Sequence, residues 1–205
     1  MIGLEIHAQI TALNSKLFCS CRGNYRDLGP NTNICEICCG LPGSLPVINQ
    51  RAIEYSAMTS LALGCKVPDK IMFYRKNYFY PDLPKNFQIT QYNVYGFSSI
   101  GVDGIYELDD AKQIRISRIQ LEEDPGRIAY SEGGMNVRNS ALIDYNRAGV
   151  ALIEIVTEPD FTGPKEVRLF LNKLSLTLEH IGVCDTLLEG SVRCDVNVSM
   201  EGGNK

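Results

Sequence analysis

The 205-residue sequence has no tryptophan, only two histidines and no apolar run long enough to cross a membrane. A membrane-spanning helix needs roughly 18 or more apolar residues in succession, so we expect no membrane span. The N-terminus also lacks a basic segment followed by an apolar stretch, which argues against a secretory signal. With a net charge of −4, the chain is not a broadly basic nucleic-acid binder. A nucleic-acid partner would depend on a local patch or on sequence outside this chain.

Three common phosphate-binding and nucleophile motifs are also missing. The sequence contains no G-x-x-x-x-G-K-[ST] and no G-x-G-x-x-G, so an ATP site here would be neither of the P-loop nor of the Rossmann type. The nucleophile elbow G-x-S-x-G is absent as well. The two histidines, His7 and His180, are far apart in sequence, and we expect His180 to place a positive charge near the end of a helix. A free-standing metal hydrolase therefore has little support.

Cysteine, in contrast, is plentiful, and four of the eight cysteines form two close pairs. Zinc prefers four soft ligands in a tetrahedron, and two pairs on neighbouring turns supply them locally. We therefore predict a structural zinc site formed by Cys19, Cys21, Cys35 and Cys38. The alternatives are unrelated buried thiols, or Cys39 in place of Cys38. Cys65, Cys184 and Cys194 stand apart and are expected in the core. This clustering, without a signal, favours a reducing, cytoplasmic compartment.

The periodicity of the sequence predicts an α+β fold with a mainly antiparallel β-sheet and packed helices. Residues 2–10 and the segment SVRCDVNVSM alternate apolar and polar side chains one by one, which is typical of strands. The segment QIRISRIQLEED also alternates, but its phase changes. A β-bulge near Ser117–Arg118 would explain that change.

Two segments have helical spacing, and one is rich in loop-forming residues. A helix is expected from Asn49 to Gly64, because glycine suits the end of a helix. A second helix is expected between Thr162 and Ile181, with Thr162 as its cap. Residues 17–46 are rich in Cys, Gly, Pro and Asn, and we expect them to form a small knuckle around the zinc.

The opening strand carries polar groups that suit a metal ion. Glu5 and His7 are two residues apart, so their side chains lie on one face of a strand with Cα atoms roughly 6.6 Å apart. A carboxylate and an imidazole in that arrangement are able to share one cation. The alternative is an ordinary solvated strand face, which the strand considered alone favours.

A carboxylate in another predicted strand favours the metal site over the solvated strand face. Glu154 is the only charged residue in the apolar run VALIEIV, and a carboxylate in a buried strand is costly unless it is paired or bound to a metal. The alternative to a metal is an ion pair with Arg75, Arg118 or Arg193.

An acidic run lies at the end of another predicted strand. Glu122, Glu123 and Asp124 repel one another, and such an arrangement favours a bound cation. An acidic turn at a strand end is the alternative. Strand parity alone places Glu123 with Leu121, on the side that faces the core.

The last strand adds Arg193, Asp195 and Asn197 on one face. Carboxylates combined with basic residues are what a metal–nucleotide site requires, because acids hold Mg²⁺ and cations hold phosphate oxygens. The candidate cations are Arg75, Lys76, Lys85 and Arg193.

Several long segments together closely resemble the B subunit of the glutamyl/aspartyl-tRNA amidotransferase. They are IGLEIHAQI, KLFCSC, PNTNICEICCGLPGSLPVIN, FYRKNYFYPDLPKNFQITQY, IQLEEDPG, DYNRAGVALIEIVTEPD and LEGSVRCDVNVSM, in order along nearly the whole chain. The archaeal E subunit has a similar opening segment, but it carries a large inserted domain that this sequence does not show.

This resemblance implies an ATP-dependent kinase that acts on a misacylated tRNA. Such a subunit phosphorylates the side-chain carboxylate of Glu-tRNA(Gln) or Asp-tRNA(Asn). Ammonia from the A subunit then arrives through a channel and displaces phosphate to leave the amide. The implied partners are the A and C subunits and the tRNA, and the implied cofactors are ATP, Mg²⁺ and Zn²⁺. The implied fold is a cradle similar to glutamine synthetase and guanidino kinases.

The resemblance also implies roles for individual residues. The positions that match its Mg²⁺ site are Glu5, His7, Glu123 and Glu154. Lys76 and Lys85 match lysines near the mouth of the ammonia channel. The positions that match its zinc knuckle are Cys19, Cys21, Cys35 and Cys38. We further expect Arg75, Arg193 and Asp195 to lie around the ATP.

Members of that family continue beyond Lys205 into helical and tail domains. We therefore expect residues 1–205 to be the catalytic cradle domain alone. The competing hypothesis is a zinc-bearing module that binds RNA or a partner protein without catalysis. It explains the cysteines and aromatics, but not a lone glutamate inside an apolar strand.

Overall fold

The computed structural model describes residues 1–92, 98–109, 112–130 and 141–200. Within these ranges the chain forms nine strands and two helices. In chain order they are β1 (Ile2–Gln9), α1 (Gln50–Ala62), β2 (Tyr74–Asn77), β3 (Phe87–Thr90), β4 (Gly101–Asp109), β5 (Lys112–Glu123), β6 (Arg127–Tyr130), β7 (Ala141–Asp144), β8 (Ala151–Thr157), α2 (Pro164–His180) and β9 (Val192–Val198).

Five strands form one antiparallel sheet in the order β4-β5-β8-β1-β9. The remaining described strands form two small antiparallel pairs, β2 with β3 and β6 with β7. The predicted α+β fold with a mainly antiparallel sheet is confirmed. Because β8 and β1 lie in the interior of the large sheet, hydrogen bonds on both sides fix the side chains that they carry.

The alternation of β1, together with Glu154 of β8, gives the sheet one apolar face and one face that carries polar groups. Leu4 and Ile6 of β1 are buried in the core together with Ile153 and Ile155 of β8. Each such side chain contributes roughly 1.5–3 kcal/mol on burial, so this face anchors both strands. The core continues onto one side of α2 through Phe170, Leu174 and Leu178.

The expected bulge in β5 is present. The register between β5 and β8 shifts between Ile116 and Arg118, at the position where the sequence changes phase. The extra residue lets Ile114 and Ile116 before the bulge, and Ile119 after it, all lie in the core. It also turns Gln120 and Glu122 towards the face of the sheet that carries Glu154.

The two helices begin close to the expected positions. Asn49 caps α1, and its side chain accepts a hydrogen bond from the N–H of Arg51 at 3.0 Å. The prediction that Thr162 caps α2 is wrong, because the N-cap is Gly163. Thr162 instead donates its N–H and its hydroxyl to the Glu166 carboxylate. Neither of the described helices is long and apolar enough to span a bilayer.

Candidate functional site

Antiparallel pairing gathers three candidate metal ligands on the polar face of the sheet. His7 of β1 lies directly opposite Glu154 of β8, and Glu5 lies two residues earlier on the same side of β1. The ligand atoms of these three side chains all lie within 4.8 Å of one another. The Nε2 atom of His7 is 3.8 Å from Oε1 of Glu5. We call these three residues the acidic cluster.

Glu123, the fourth position matched to the magnesium site, lies outside the acidic cluster. Its carboxylate accepts hydrogen bonds from Nζ of Lys85 at 2.6 Å and from the N–H of Ile89 at 2.8 Å. The physical reason is the parity of β5, because Glu123 shares a side of the strand with Leu121, which is buried in the core. Placing Glu123 with the other three ligands is therefore corrected in favour of the interpretation from parity.

Glu122 takes the place beside the acidic cluster. Its Oε1 atom lies 3.7 Å from Nε2 of His7. Its other carboxylate oxygen accepts a hydrogen bond from the Thr90 hydroxyl at 2.9 Å. The signal for this residue was present in the sequence, because a strand that buries Leu121 turns Glu122 to the opposite face.

Crowding and burial perturb the protonation of these groups. Burial, reinforced by the charges of Glu122 and Glu5, raises the pKa of Glu154 to about 8. Burial also raises the pKa of Glu122 to about 7, although the Thr90 hydrogen bond and the charge of Lys76 oppose that change. The pKa of His7 is lowered, chiefly because the ring is buried. Without a cation the cluster thus retains protons near neutral pH, and a divalent ion would displace them.

The donor set of the acidic cluster fits a small divalent cation. Octahedral Mg²⁺ with bonds of about 2.1 Å separates its ligands by roughly 3.0 to 4.2 Å. The ligand atoms of Glu5, His7 and Glu154 lie within 4.8 Å of one another, so they would have to approach by less than about 1 Å to reach that range. Two carboxylates and one imidazole suit Mg²⁺ or Mn²⁺, with water or phosphate oxygens completing the shell.

A cavity of about 590 Å³ opens beside the acidic cluster. Its volume lies within the usual range for small-molecule sites, about 300–1,000 Å³. Lys76 and Arg118 bring two positive charges to the same cavity. The Arg118 guanidinium donates a hydrogen bond to the Gln120 side chain at 3.2 Å. Arg118 therefore supports the cavity wall next to Glu154, but it does not form an ion pair with Glu154. The remaining lining residues are Glu5, Thr90, Gln91, Tyr92, Gln120, Glu122 and Glu154.

Two of the other candidate cations, Arg75 and Lys85, do not line this cavity. Arg75 is next to Lys76 on β2, but its guanidinium carbon lies 5.1 Å from the centre of the Phe87 ring. The Lys85 side chain is only 8% exposed and is paired with Glu123. Lys76 is therefore the one predicted cation that lines the cavity.

The edge strand β9 places Arg193 opposite His7 and Asp195 opposite Glu5. Asp195 is exposed. Arg193 donates to the buried carboxylate of Asp124 at 2.8 Å, which fixes its guanidinium beside the acidic cluster.

The buried Asp124 organises a network that sequence reasoning missed. It accepts a hydrogen bond from Nε2 of Gln9 at 2.7 Å, and Oε1 of Gln9 accepts one from Arg26 at 2.6 Å. The available signal was the alternation of β1, which places Gln9 on the same face as Glu5 and His7. This network ties the end of β1 to the acidic run at the end of β5.

The two cysteine pairs meet in space. The Sγ atoms of Cys19, Cys21, Cys35 and Cys38 all lie within 4.8 Å of one another. A tetrahedral zinc ion with Zn–S bonds of about 2.3 Å separates its sulfurs by roughly 3.8 Å, so this cysteine cluster fits zinc after a small contraction. Cys38 is the residue that joins the cluster, and Cys39 stands outside it.

The ionisation of one ligand, Cys38, also favours a cation in the cysteine cluster. A hydrogen bond from Cys19 lowers the pKa of Cys38 to about 4 although burial opposes it, and the charge of Lys16 adds to the lowering. A thiolate is the form that binds zinc. Because cysteines would fill all four positions, a bound zinc would have no open site for catalysis and would be structural.

Comparison with known proteins places these features in context. The family described as GatB/GatE catalytic domain matches residues 1–205. The chain is 52% identical over 204 residues to a protein of Saccharolobus solfataricus that is named as the B subunit of an aspartyl/glutamyl-tRNA(Asn/Gln) amidotransferase. Proteins of the same name from Aeropyrum pernix and Methanosarcina barkeri are 50% and 48% identical. Each alignment covers 100% of this chain, but only 43%, 43% and 41% of the respective relatives.

Proposed function

The chain belongs to the GatB/GatE catalytic domain family, and we propose that residues 1–205 form the catalytic cradle domain of an amidotransferase B subunit. In this proposal ATP phosphorylates the side-chain carboxylate of Glu-tRNA(Gln) or Asp-tRNA(Asn). Ammonia supplied by the A subunit then displaces phosphate and leaves the amide. The observation that carries the proposal is the acidic cluster at the wall of a cavity that also holds Lys76 and Arg118.

The chemical logic follows from the leaving group. A free carboxylate is a poor acyl electrophile, whereas an acyl phosphate releases phosphate readily. Glu5, His7 and Glu154 would hold a divalent cation, which would neutralise the charge that develops on the transferring phosphoryl group. Lys76 and Arg118 supply the positive charge that orients phosphate oxygens in the cavity.

The cysteine cluster has a separate role in this proposal. With all four ligands supplied by the chain, zinc would hold the turns around Cys19–Cys21 and Cys35–Cys38 together. The cluster would thereby stabilise the fold without taking part in phosphoryl transfer.

Trapping the acyl phosphate tests the proposed reaction directly. The complete amidotransferase, with this domain in its full-length B subunit and with the A and C subunits, is incubated with ATP, Mg²⁺ and Glu-tRNA(Gln) in the presence of hydroxylamine. We expect formation of ADP and of the side-chain hydroxamate, because hydroxylamine captures an activated carboxylate. Glu154→Gln is expected to abolish both products.

The matched control is Glu107→Gln, which removes an exposed carboxylate on β4 of the same sheet. It should retain both products at the wild-type rate. Hydroxamate formation by Glu154→Gln at the wild-type rate, with the fold confirmed by circular dichroism, would contradict the proposed site.

A further inference from the structure

Lys16 is one of the largest side chains that the structure buries completely, with 0% exposure. Its ammonium donates to the backbone carbonyl of Asn33 at 2.8 Å, and it lies 3.7 Å from the sulfur of Cys38. Over the described residues, no carboxylate is paired with this ammonium. A charged group removed from water in this way is strongly disfavoured unless an opposite charge lies beside it.

The nearby carboxylate of Glu123 does not fill that role. A Cβ atom added to Gly149 would lie 3.5 Å from Lys16 Cδ, 3.5 Å from Cys38 Cβ and 3.8 Å from Oε2 of Glu123, so these groups surround one glycine. The Glu123 carboxylate, however, is already paired with the buried ammonium of Lys85. The countercharge of Lys16 must therefore come from the cysteines.

The Cys38 sulfur beside the ammonium can carry one negative charge by itself, whereas a metal-bound tetrathiolate carries more. Four thiolates around a divalent ion carry a net charge of about −2, and such a dianion in a partly buried site is itself poorly solvated. Cys38, the most buried of the four ligands at 4% exposure, is the one that Lys16 approaches. The ammonium and the dianion thus each remove the electrostatic penalty of the other.

We propose that Lys16 is the built-in countercharge of a zinc-loaded cysteine cluster and that it raises the affinity of the cluster for divalent metal. The proposal rests on zinc occupying Cys19, Cys21, Cys35 and Cys38, and it is independent of phosphoryl transfer. It makes Lys16 a positioning and charge-compensating residue, because it touches a ligand and not the metal.

The test compares Lys16→Met, which keeps most of the length of the side chain and removes its charge, with Lys70→Met at an exposed lysine. The zinc content and zinc affinity of the 205-residue chain are measured by metal analysis and by competition with a colorimetric chelator. We expect one zinc per wild-type chain and an affinity about tenfold or more lower in Lys16→Met, the range typical of residues that support metal ligands. Lys70→Met should match the wild type.

Thermal unfolding separates charge compensation from simple packing. Removing zinc reduces the negative charge of the cluster that faces Lys16, and this matters only when the ammonium is present, so chelation should lower the Tm of the wild type more than that of Lys16→Met. A packing role would lower the Tm of the variant equally with and without zinc. Lys16→Arg keeps the charge and provides a second variant if Lys16→Met does not fold. Its zinc affinity should remain close to that of the wild type.

Two results would overturn the proposal. One is equal zinc affinity together with an equal loss of Tm on chelation in the wild type and Lys16→Met. The other is a wild-type chain that binds no zinc, which would remove the premise. Neither result bears on hydroxamate formation, so failure here is distinguishable from failure of the proposed phosphoryl transfer.

Discussion

Glu122 and Glu123 are neighbours in the chain, but they meet opposite environments on the two sides of β5. Glu122 lies 3.7 Å from His7, whereas Glu123 is paired with the buried Lys85. A sequence motif identifies the pair as important without saying which of the two faces the metal. The alternation of the strand resolves that question, because a buried Leu121 fixes the side on which each glutamate lies.

Substitution of each glutamate should therefore produce a different defect. Glu123→Gln leaves the Lys85 ammonium buried without its partner, so we expect the free energy of unfolding to fall by about 3 kcal/mol with Mn²⁺ affinity largely retained. Glu122→Gln should weaken Mn²⁺ binding several-fold with little loss of stability. Chemical denaturation and Mn²⁺ titration of both variants check this. The reverse pattern would place Glu123 in the metal site.

The raised pKa of Glu154 predicts how stability depends on pH. A carboxylate with a pKa of about 8 in the folded chain, against about 4.3 in an unfolded chain, binds more protons when folded between those two values. Without added metal, the free energy of unfolding should therefore fall as pH rises from 5 to 8.5, by about 2 kcal/mol after allowance for partial exposure.

Urea denaturation across this pH range measures that dependence. Glu154→Gln should flatten the decline because glutamine does not ionise, and Glu107→Gln should leave it unchanged. Saturating Mn²⁺ should also reduce the decline, since the cation stabilises the ionised form. A Glu154→Gln curve parallel to that of the wild type would show that Glu154 has an ordinary pKa.

The strand elements explain which parts of the site the sequence could predict. The alternation of β1 correctly groups Glu5 with His7, and the lone charge in β8 singles out Glu154. The phase change in β5 correctly indicates the bulge at Ile116–Arg118. Periodicity cannot reveal the order of strands, so the pairing of β8 between β5 and β1, which assembles the cluster, had to be read from the structure.

Contacts between elements that are distant in sequence also could not be predicted from local sequence patterns. The Gln9–Asp124 hydrogen bond joins residues 115 positions apart, and no local pattern encodes it. The cap of α2 was misassigned because the Thr162 side chain binds Glu166 within the first helical turn, leaving Gly163 at the cap.

The turn at Gly149 connects the cysteine knuckle to the end of β5. Gly149 has a φ of +88°, its N–H donates to the carbonyl of Asp124, and its carbonyl accepts from Leu17, both at 2.9 Å. Gly149→Ala should lower the free energy of unfolding by about 1–2 kcal/mol, because a Cβ is disfavoured in the left-handed region. The added Cβ would make only ordinary contacts, so space does not limit this variant.

The control is Gly29→Ala, where φ is not in the left-handed region and the added Cβ would meet only Thr32 at 3.6 Å. Its stability should change by less than about 0.5 kcal/mol. Thermal or urea denaturation of both variants measures the difference. Equal stability of the two would show that the Gly149 turn tolerates a side chain.

At the scale of the whole molecule, the described residues form two candidate metal sites of different character. The cysteine cluster offers four soft ligands and no open position, whereas the acidic cluster offers three hard or borderline ligands beside an open cavity. Zinc suits the first and Mg²⁺ or Mn²⁺ the second. The chain spans about two-fifths of the length of the relatives it matches, so its activity with tRNA and partner subunits is a proposal about a larger protein.

Cation binding at the acidic cluster underlies the proposed reaction, and it can be measured on this chain alone. Titration with Mn²⁺, followed by electron paramagnetic resonance at pH 8, compares the wild type with Glu5→Gln, Glu154→Gln and the control Glu107→Gln. We predict one Mn²⁺ site in the wild type and the control, with affinity lower by about tenfold or more in the other two variants. Equal Mn²⁺ affinity in all four proteins would show that Glu5 and Glu154 do not bind the ion and would contradict the proposed site. If zinc alone were bound at a defined site, the result would favour a zinc-bearing binding module.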